Sequence, residues 1–320
     1  MIGAYPTPVE RIDELGLWVK RDDLTNSVYG GNKVRKLEHL LAEAARKKKK
    51  RIVTVGAAGS HHVLATAIHG GRAGFAIEAA LVPQRRTEHV VQNLRADLAA
   101  HATLRAARTY FGAALSVVAQ TVRHDWGRDA YLVPMGGSNV TGSLGYVDAA
   151  RELEAQVARG ELPEPDAIVV TLGSGGTAAG LAAGLATSKL KTRVIGVVVA
   201  APAWFVAFYT YRLLRRVYAR IGGREPRALR GRLELVFDQL GAGYGEPTDA
   251  ARRAMEIAGA HDLRLDLTYT AKCFAGALEC VHTARFKNVL YWHTLSSAPL
   301  APLLESAPRD VPSALAKLLR

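Results

Sequence analysis

The stretch YGGNKVRKLEHLL, from Tyr29 to Leu41, places an amine, Lys33, directly after two glycines and an asparagine. Apolar residues at Val34, Leu37, Leu40 and Leu41 keep a helical register, so Lys33 stands where a helix begins. The positive end of the helix dipole disfavours a cation there and lowers a lysine's pKa. Such a site suits an amine that must be partly neutral to attack a carbonyl carbon and form a Schiff base. A surface lysine at a helix start is the plainer alternative, and this stretch by itself leaves both open.

A second stretch, VVTLGSGGTAAGLAAGL, ends an apolar run in Gly173, Ser174, Gly175, Gly176 and Thr177 ahead of an Ala/Leu-rich helix. A glycine turn feeding a helix N-terminus presents backbone N–H groups to an anion, and phosphate is the expected ligand. A dinucleotide fingerprint would need an acidic residue about 20 positions on, and RVIGVVVAAPAW supplies none. No Gly-Lys-Ser/Thr follows, which excludes a Walker A loop. Tight helix–strand packing is the other use such glycines serve. An activated lysine and a phosphate cup together point to an aldehyde cofactor with a phosphate tail, and pyridoxal 5'-phosphate fits both.

Six β-rich runs occur at 51–56, 76–82, 130–134, 167–173, 193–200 and 288–294, most of them separated by helical patterns. This is the signature of βαβ units: an α/β fold of parallel sheets flanked by helices. With 320 residues, 49% hydrophobic, the chain suits two domains. The segment RGELPEPD, 159–166, reads as a return from one sheet to another.

Cys273 and Cys280, seven apart in an expected helix, argue against a disulfide framework and for a reducing interior. No apolar run reaches membrane length and the N-terminal segment lacks signal-peptide features, so a soluble cytoplasmic protein is expected. The net charge of +13 raises nucleic acid as a partner, through the basic runs at 46–51 and 212–220. Neither run has a zinc spacing or a nucleic-acid motif, so the charge is read as general attraction for small anions.

The motifs PTPVERI…LWVKRDDL, GGNKVRKLEHLL, PMGGSNVTGSLGYV, GSGGTAAGL, GYGEPT, TYTAKCFAGAL and VLYWHT follow one another along nearly the whole chain. In that order they resemble the fold-type II (tryptophan synthase beta-like) pyridoxal-phosphate enzymes, in the branch of D-cysteine desulfhydrase and 1-aminocyclopropane-1-carboxylate deaminase. The resemblance implies a homodimer of two-domain subunits with the cofactor between the domains: a large one from 1–36 plus 148–320 and a small one from 37–147. It implies that Lys33 forms the Schiff base and acts as the base at Cα, and that Lys36 helps hold the phosphate. Ser174, Gly175, Gly176 and Thr177 match the phosphate cup, and Thr294 matches the hydroxyl that meets the pyridine nitrogen. A neutral hydroxyl there makes the ring a weaker electron sink and favours loss of a β-substituent over transamination. Tyr244 and Tyr269 match the pair lining the substrate pocket, as acid, base or nucleophile. Ser60 matches a contact to the substrate carboxylate, with His61 and His62 beside it. On the residues alone, a cap for the next segment is the alternative for Thr294, and half-buried core is the alternative for the tyrosines.

The implied activity is that of a lyase or hydrolase on a small amino acid, first D-cysteine, giving pyruvate, ammonia and sulfide. Ring-opening deamination of the cyclopropane amino acid, or cofactor binding with a divergent substrate, are the alternatives. Three departures bear on this choice. Thr270 stands where the deaminases have glutamate, as it does in the desulfhydrases. His61 replaces the usual asparagine, with His62, Val63 and Leu64 in a normally more polar stretch. Leu295 and Ser296 replace the usual glycines after Thr294. A metal is not expected, because the adjacent His61 and His62 diverge on a helix and no further ligand sits at the right spacing.

Overall fold

The computed structural model describes residues 1–123, 128–200 and 202–319. Two compact units emerge: a larger one of Met1, Gly3–Lys36 and Ser138–Ser297, and a smaller one of Ile2, Leu37–Gly137 and Ala298–Arg320.

The larger unit is built on strands β1 (Val9–Ile12), β2 (Leu17–Arg21), β7 (Ala167–Leu172), β8 (Arg193–Val198), β9 (Leu233–Val236) and β10 (Val289–His293). Their order is β1-β2-β10-β7-β8-β9, parallel except for the β1–β2 pair. Strand β7 shows why it reads as one continuous apolar run. Ile168, Val170 and Leu172 enter a core shared with α5 (Val140–Ala158), α6 (Gly176–Leu185) and α7 (Ala203–Arg220). Ala167 and Val169 enter a second core with α8 (Asp249–Gly259) and α9 (Thr270–His282). Successive side chains point to opposite faces, so a strand covered on both sides is apolar at nearly every position, Thr171 being the exception in β7. The second core also takes both cysteines, free and buried.

Just past β2, the buried carboxylate of Asp22 organises the start of α1 (Asn32–Arg46). It accepts from Arg35 Nη2 at 2.8 Å, Tyr146 Oη at 2.7 Å, Trp292 Nε1 at 2.7 Å and Thr7 Oγ1 at 3.0 Å. Arg35 also donates to Glu152 at 2.9 Å. Since Arg35 lies between Lys33 and Lys36 on the first turn of α1, this network holds both lysines in place.

The smaller unit follows the winding β3 (Arg51–Ala57), α2 (His61–Arg72), β4 (Ala76–Val82), α3 (Glu88–Ala99), β5 (Thr103–Ala106), α4 (Tyr110–Arg123), β6 (Ala130–Val133). Its four strands are all parallel, in the order β5-β4-β3-β6. The last residues of the chain, with α10 (Ala301–Glu305) and α11 (Ser313–Ala316), belong here and not to the larger domain in which they were expected. Leu315 and Leu318 are buried against Val63, Leu81, Val90 and Leu94, and Gln84 N–H donates to the Leu318 carbonyl at 2.9 Å. The second boundary also moves, from 147/148 to 137/138, because Tyr146, Val147 and Leu153 bury one face of a continuous α5 in the larger core. The segment 159–166 therefore joins α5 to β7 inside the larger unit. Among the described residues no helix is long and apolar enough to cross a membrane.

Candidate active site

Lys33 is half-buried on the first turn of α1. The loop before it is pressed onto the end of β10: Gly31 has φ +89°, and a Cβ there would lie 2.6 Å from the Thr294 carbonyl oxygen. That carbonyl accepts from Asn32 N–H at 3.0 Å, and Ser296 Oγ accepts from Gly30 N–H at 2.8 Å. Ser296, a departure from the expected glycine, thus ties the two loops together. Lys33 Nζ donates to Asn32 Oδ1 at 2.6 Å, and Asn32 Nδ2 donates to Thr177 Oγ1 at 3.1 Å. Burial lowers the Lys33 pKa to about 8, with nearby Asp266 acting in the opposite direction. Asp266 was not anticipated from sequence. Its carboxylate accepts the N–H groups of Thr268 and Tyr269 and the Thr270 hydroxyl, and an Asp two residues before such a turn is the available signal.

The cup forms at Gly175, φ +82°, the residue that precedes α6 and caps it without a side chain. A Cβ on Gly175 would meet Thr210 Oγ1 at 2.3 Å, and one on Gly176 would meet Ser138 Oγ at 2.5 Å and Lys36 Nζ at 3.0 Å. Only glycine leaves this cradle open. Ser138 Oγ accepts from Gly176 N–H at 3.1 Å and from Lys36 Nζ at 3.2 Å, and shares a hydrogen bond with Ser174 Oγ at 2.7 Å. Tyr209 Oη donates to the Ser138 carbonyl at 2.6 Å and braces the group. Ser138 and Tyr209 also escaped the sequence reading. The turn MGGSN announces Ser138, whereas nothing marks Tyr209 in mid-helix. Burial, and secondly Lys33, push the Lys36 ammonium well below the ordinary lysine range. A phosphate supplies the opposite charge that such a lysine requires.

Convergent N–H, hydroxyl and ammonium donors fit a phosphate, and a partly neutral amine linked to them through Asn32 fits an aldehyde on the same molecule. These residues therefore fit pyridoxal 5'-phosphate. Gly175→Val is expected to weaken cofactor binding about ten- to a hundredfold, from strain at positive φ and a clash with Thr210 that displaces the turn. The check is a titration of cofactor-free protein; unchanged affinity in a well-folded variant would show that the glycines serve packing alone.

Tyr244 and Tyr269 share a hydrogen bond through their hydroxyls, their rings edge-on at 5.9 Å. Either hydroxyl can give its proton to the other, so the two form a hydrogen-bonded pair of acids. Tyr269 lies beside the cup, 3.8 Å from the position a Gly173 Cβ would take.

In the smaller unit Ser60 caps α2, its Oγ accepting from Val63 N–H at 3.4 Å. His61 follows on the first turn, its Nε2 3.1 Å from Nε2 of His89 on α3. His62 turns the other way. It is buried, with Nε2 2.9 Å from Thr54 Oγ1 on β3, whose proton goes to the Val133 carbonyl. That is a packing position, and the substrate role expected for His62 is not carried further. His89 was missed because no local pattern tells which residue of α3 meets α2. Among the described residues, no group of three or more His, Cys, Asp or Glu side chains could hold a metal ion.

Residues 1–294 match the family described as "Pyridoxal-phosphate dependent enzyme". The D-cysteine desulfhydrase of Salmonella choleraesuis is 35% identical over 310 residues, covering 92% of this chain and 92% of that protein. The nocardicin C-9' epimerase of Nocardia uniformis subsp. tsuyamanensis is 35% identical over 318 residues, covering 96% of this chain and 95% of that protein. A crystal structure described as that of an ACC deaminase homologue matches with a TM-score of 0.82 at 27% identity, covering 96% of this chain and 95% of the other.

Proposed function

The chain belongs to the pyridoxal-phosphate-dependent enzymes and is a lyase or deaminase using that cofactor, and from that premise we propose that it eliminates the β-substituent of a small amino acid. D-cysteine is the proposed substrate, giving pyruvate, ammonia and sulfide. The observation that carries this reading is Lys33, with its pKa lowered to about 8 and linked through Asn32 to the phosphate cup. When bound, the cofactor's aldehyde takes up the substrate amine and its ring draws electrons from Cα.

In this proposal Lys33 removes the Cα proton. Lys36, Ser174, Thr177 and the Gly175 N–H hold the phosphate, and Gly176, whose own N–H goes to Ser138, leaves room for it. Thr294 offers the pyridine nitrogen a neutral hydroxyl. Ser60 and the N-terminus of α2 hold the substrate carboxylate, with His61 beside them. The Tyr244–Tyr269 pair gives a proton to the departing sulfur. Thr270 supports elimination over ring opening, because its hydroxyl is committed to Asp266 at 2.8 Å and adds no charge near the ring. A homodimer in a reducing cytoplasm completes the reading, in keeping with two free, buried cysteines.

A side-by-side assay tests the choice of reaction. Pyruvate from D-cysteine is expected to exceed 2-oxobutanoate from 1-aminocyclopropane-1-carboxylate at least tenfold in kcat/KM, or about 1.4 kcal/mol in the transition state. Faster turnover of the cyclopropane compound would establish deamination instead. Loss of optical activity in the amino acid without keto-acid release would point to epimerisation, the reaction named for the Nocardia relative.

A further inference from the structure

The two phenols of the proposed acid pair stand on different segments of the larger unit, and one buried ammonium joins those segments. Tyr269 immediately precedes α9 and is held by the Asp266 carboxylate, which accepts its N–H at 2.7 Å. Tyr244 belongs to the connection 237–248 between β9 and α8, which forms neither helix nor strand. Glycines at 241, 243 and 245, all at positive φ, leave the backbone on both sides of Tyr244 with little conformational preference of its own. Two backbone bonds turn this connection back on itself, from Leu240 N–H to the Phe237 carbonyl at 3.0 Å and from Glu246 N–H to the Gly243 carbonyl at 3.4 Å, and neither reaches α9.

Lys272 supplies the link. It lies on the first turn of α9, three residues after Tyr269, and is 0% exposed. Its Nζ donates to the Leu240 carbonyl at 2.7 Å and reaches the carbonyl of Gly243, the residue directly before Tyr244, at 3.5 Å. Burial lowers its pKa, with Glu246 acting in the opposite direction. A desolvated ammonium is costly unless its N–H groups meet acceptors, and a hydrogen bond from a charged donor is about twice as strong as a neutral one. Withdrawing the two carbonyls would leave that charge buried without them, so the loop is bound to the helix. The helix in turn is fixed, because Cys273, Phe274 and Ala277 pack it into the second core. The start of the connection is tied separately, with Gln239 Nε2 donating to Glu279 at 3.4 Å, so Lys272 governs the part that carries Tyr244.

We propose that Lys272 is a positioning residue, which clamps the backbone of 240–243 to α9 and so sets Tyr244 against Tyr269 for proton delivery to the leaving group. The proposal rests on the reading of the chain as a lyase. In that reaction the bond between Cβ and sulfur breaks with its electron pair going to sulfur, and a phenol proton joins it; Lys33 has taken the proton from Cα, so the site keeps its net charge. Chloride, by contrast, leaves without a proton. The clamp therefore matters for D-cysteine and far less for β-chloro-D-alanine.

Two measurements on the cofactor-loaded protein test it. Hydrogen exchange read by mass spectrometry is expected to show the amides of 240–246 exchanging about tenfold faster in Lys272→Met, which keeps the length of the side chain and loses its donors, with those of α6 unchanged. Unchanged loop exchange, or equal acceleration in α6, overturns the proposal. The second readout is the ratio of kcat/KM for D-cysteine to that for β-chloro-D-alanine. Lys272→Met is expected to lower this ratio about tenfold, since misplacing a catalytic group by about 1 Å costs up to about a hundredfold. Lys272→Gln, which keeps a neutral donor, is expected to lower it about threefold and to speed loop exchange by a similar factor, and it carries both readouts if Lys272→Met does not fold. A lysine that serves stability alone would slow both substrates equally, and an unchanged ratio overturns the proposal. Faster loop exchange in the variants, with no elimination from either substrate by the wild type, would refute the lyase reading and leave the clamp standing.

Discussion

Lys33→Ala is expected to lower kcat by about a thousandfold or more and to remove the covalent link to the cofactor, because one amine serves both as anchor and as base. The shift of its pKa to about 8 leaves about a tenth of it neutral at pH 7, against about one part in three thousand for an ordinary lysine. Burial produces that shift by penalising the ammonium, and Asp266 limits it. The sign of the pH dependence follows. In cofactor-free protein, covalent cofactor uptake should rise about tenfold per pH unit below about 8 and level off above it, as the amine loses its proton. Borohydride reduction followed by peptide mass analysis checks the assignment. A reducible cofactor bond that survives in Lys33→Ala would place the anchor on another lysine.

Asp22→Ala is the second large effect, and it acts on stability before chemistry. The substitution leaves the Arg35 guanidinium buried without its main counter-charge and strips the Trp292 and Tyr146 donors of their acceptor. Breaking a buried ion pair by removing one partner costs about 3–5 kcal/mol. Burial tends to raise the Asp22 carboxyl; Arg35, then Lys20 and the Trp292 bond, more than offset this and hold it below the usual carboxylate range. A depressed carboxylate stabilises the fold above its unfolded pKa, near 3.8, and that contribution is lost as the pH falls through the folded value. Urea unfolding of cofactor-free protein at neutral pH is the measurement. A loss below about 1 kcal/mol at unchanged m-value would mean that the network does not hold the start of α1 as described.

Much of the architecture is legible locally. The inner strands β3, β4, β7, β8 and β10 coincide with apolar runs, because strands covered on both faces have few polar positions to spare. β1, β5 and β9 were not expected: each is a four-residue edge strand with charged side chains among its apolar ones. β2 was also passed over, since the Lys20 and Arg21 in LWVKR hide an inner strand. Lys20 is buried beside Glu152, a partner far along the chain that no local pattern discloses.

What the sequence by itself determined is the chemistry carried by neighbours in the chain: an amine at a helix start, a glycine turn at a helix N-terminus, and the alternation of strand and helix. Such features depend on backbone geometry over a few residues, so their spacing expresses them directly. Only the tertiary structure decided which distant groups complete them. Asn32 meets Thr177 across 145 positions and Asp22 meets Trp292 across 270. It also decided that His61 turns to His89 while His62 turns into the sheet, and that the C-terminal leucines join the smaller unit. These choices rest on burial and on satisfying each donor with an acceptor, and both conditions are set by the whole packed chain at once.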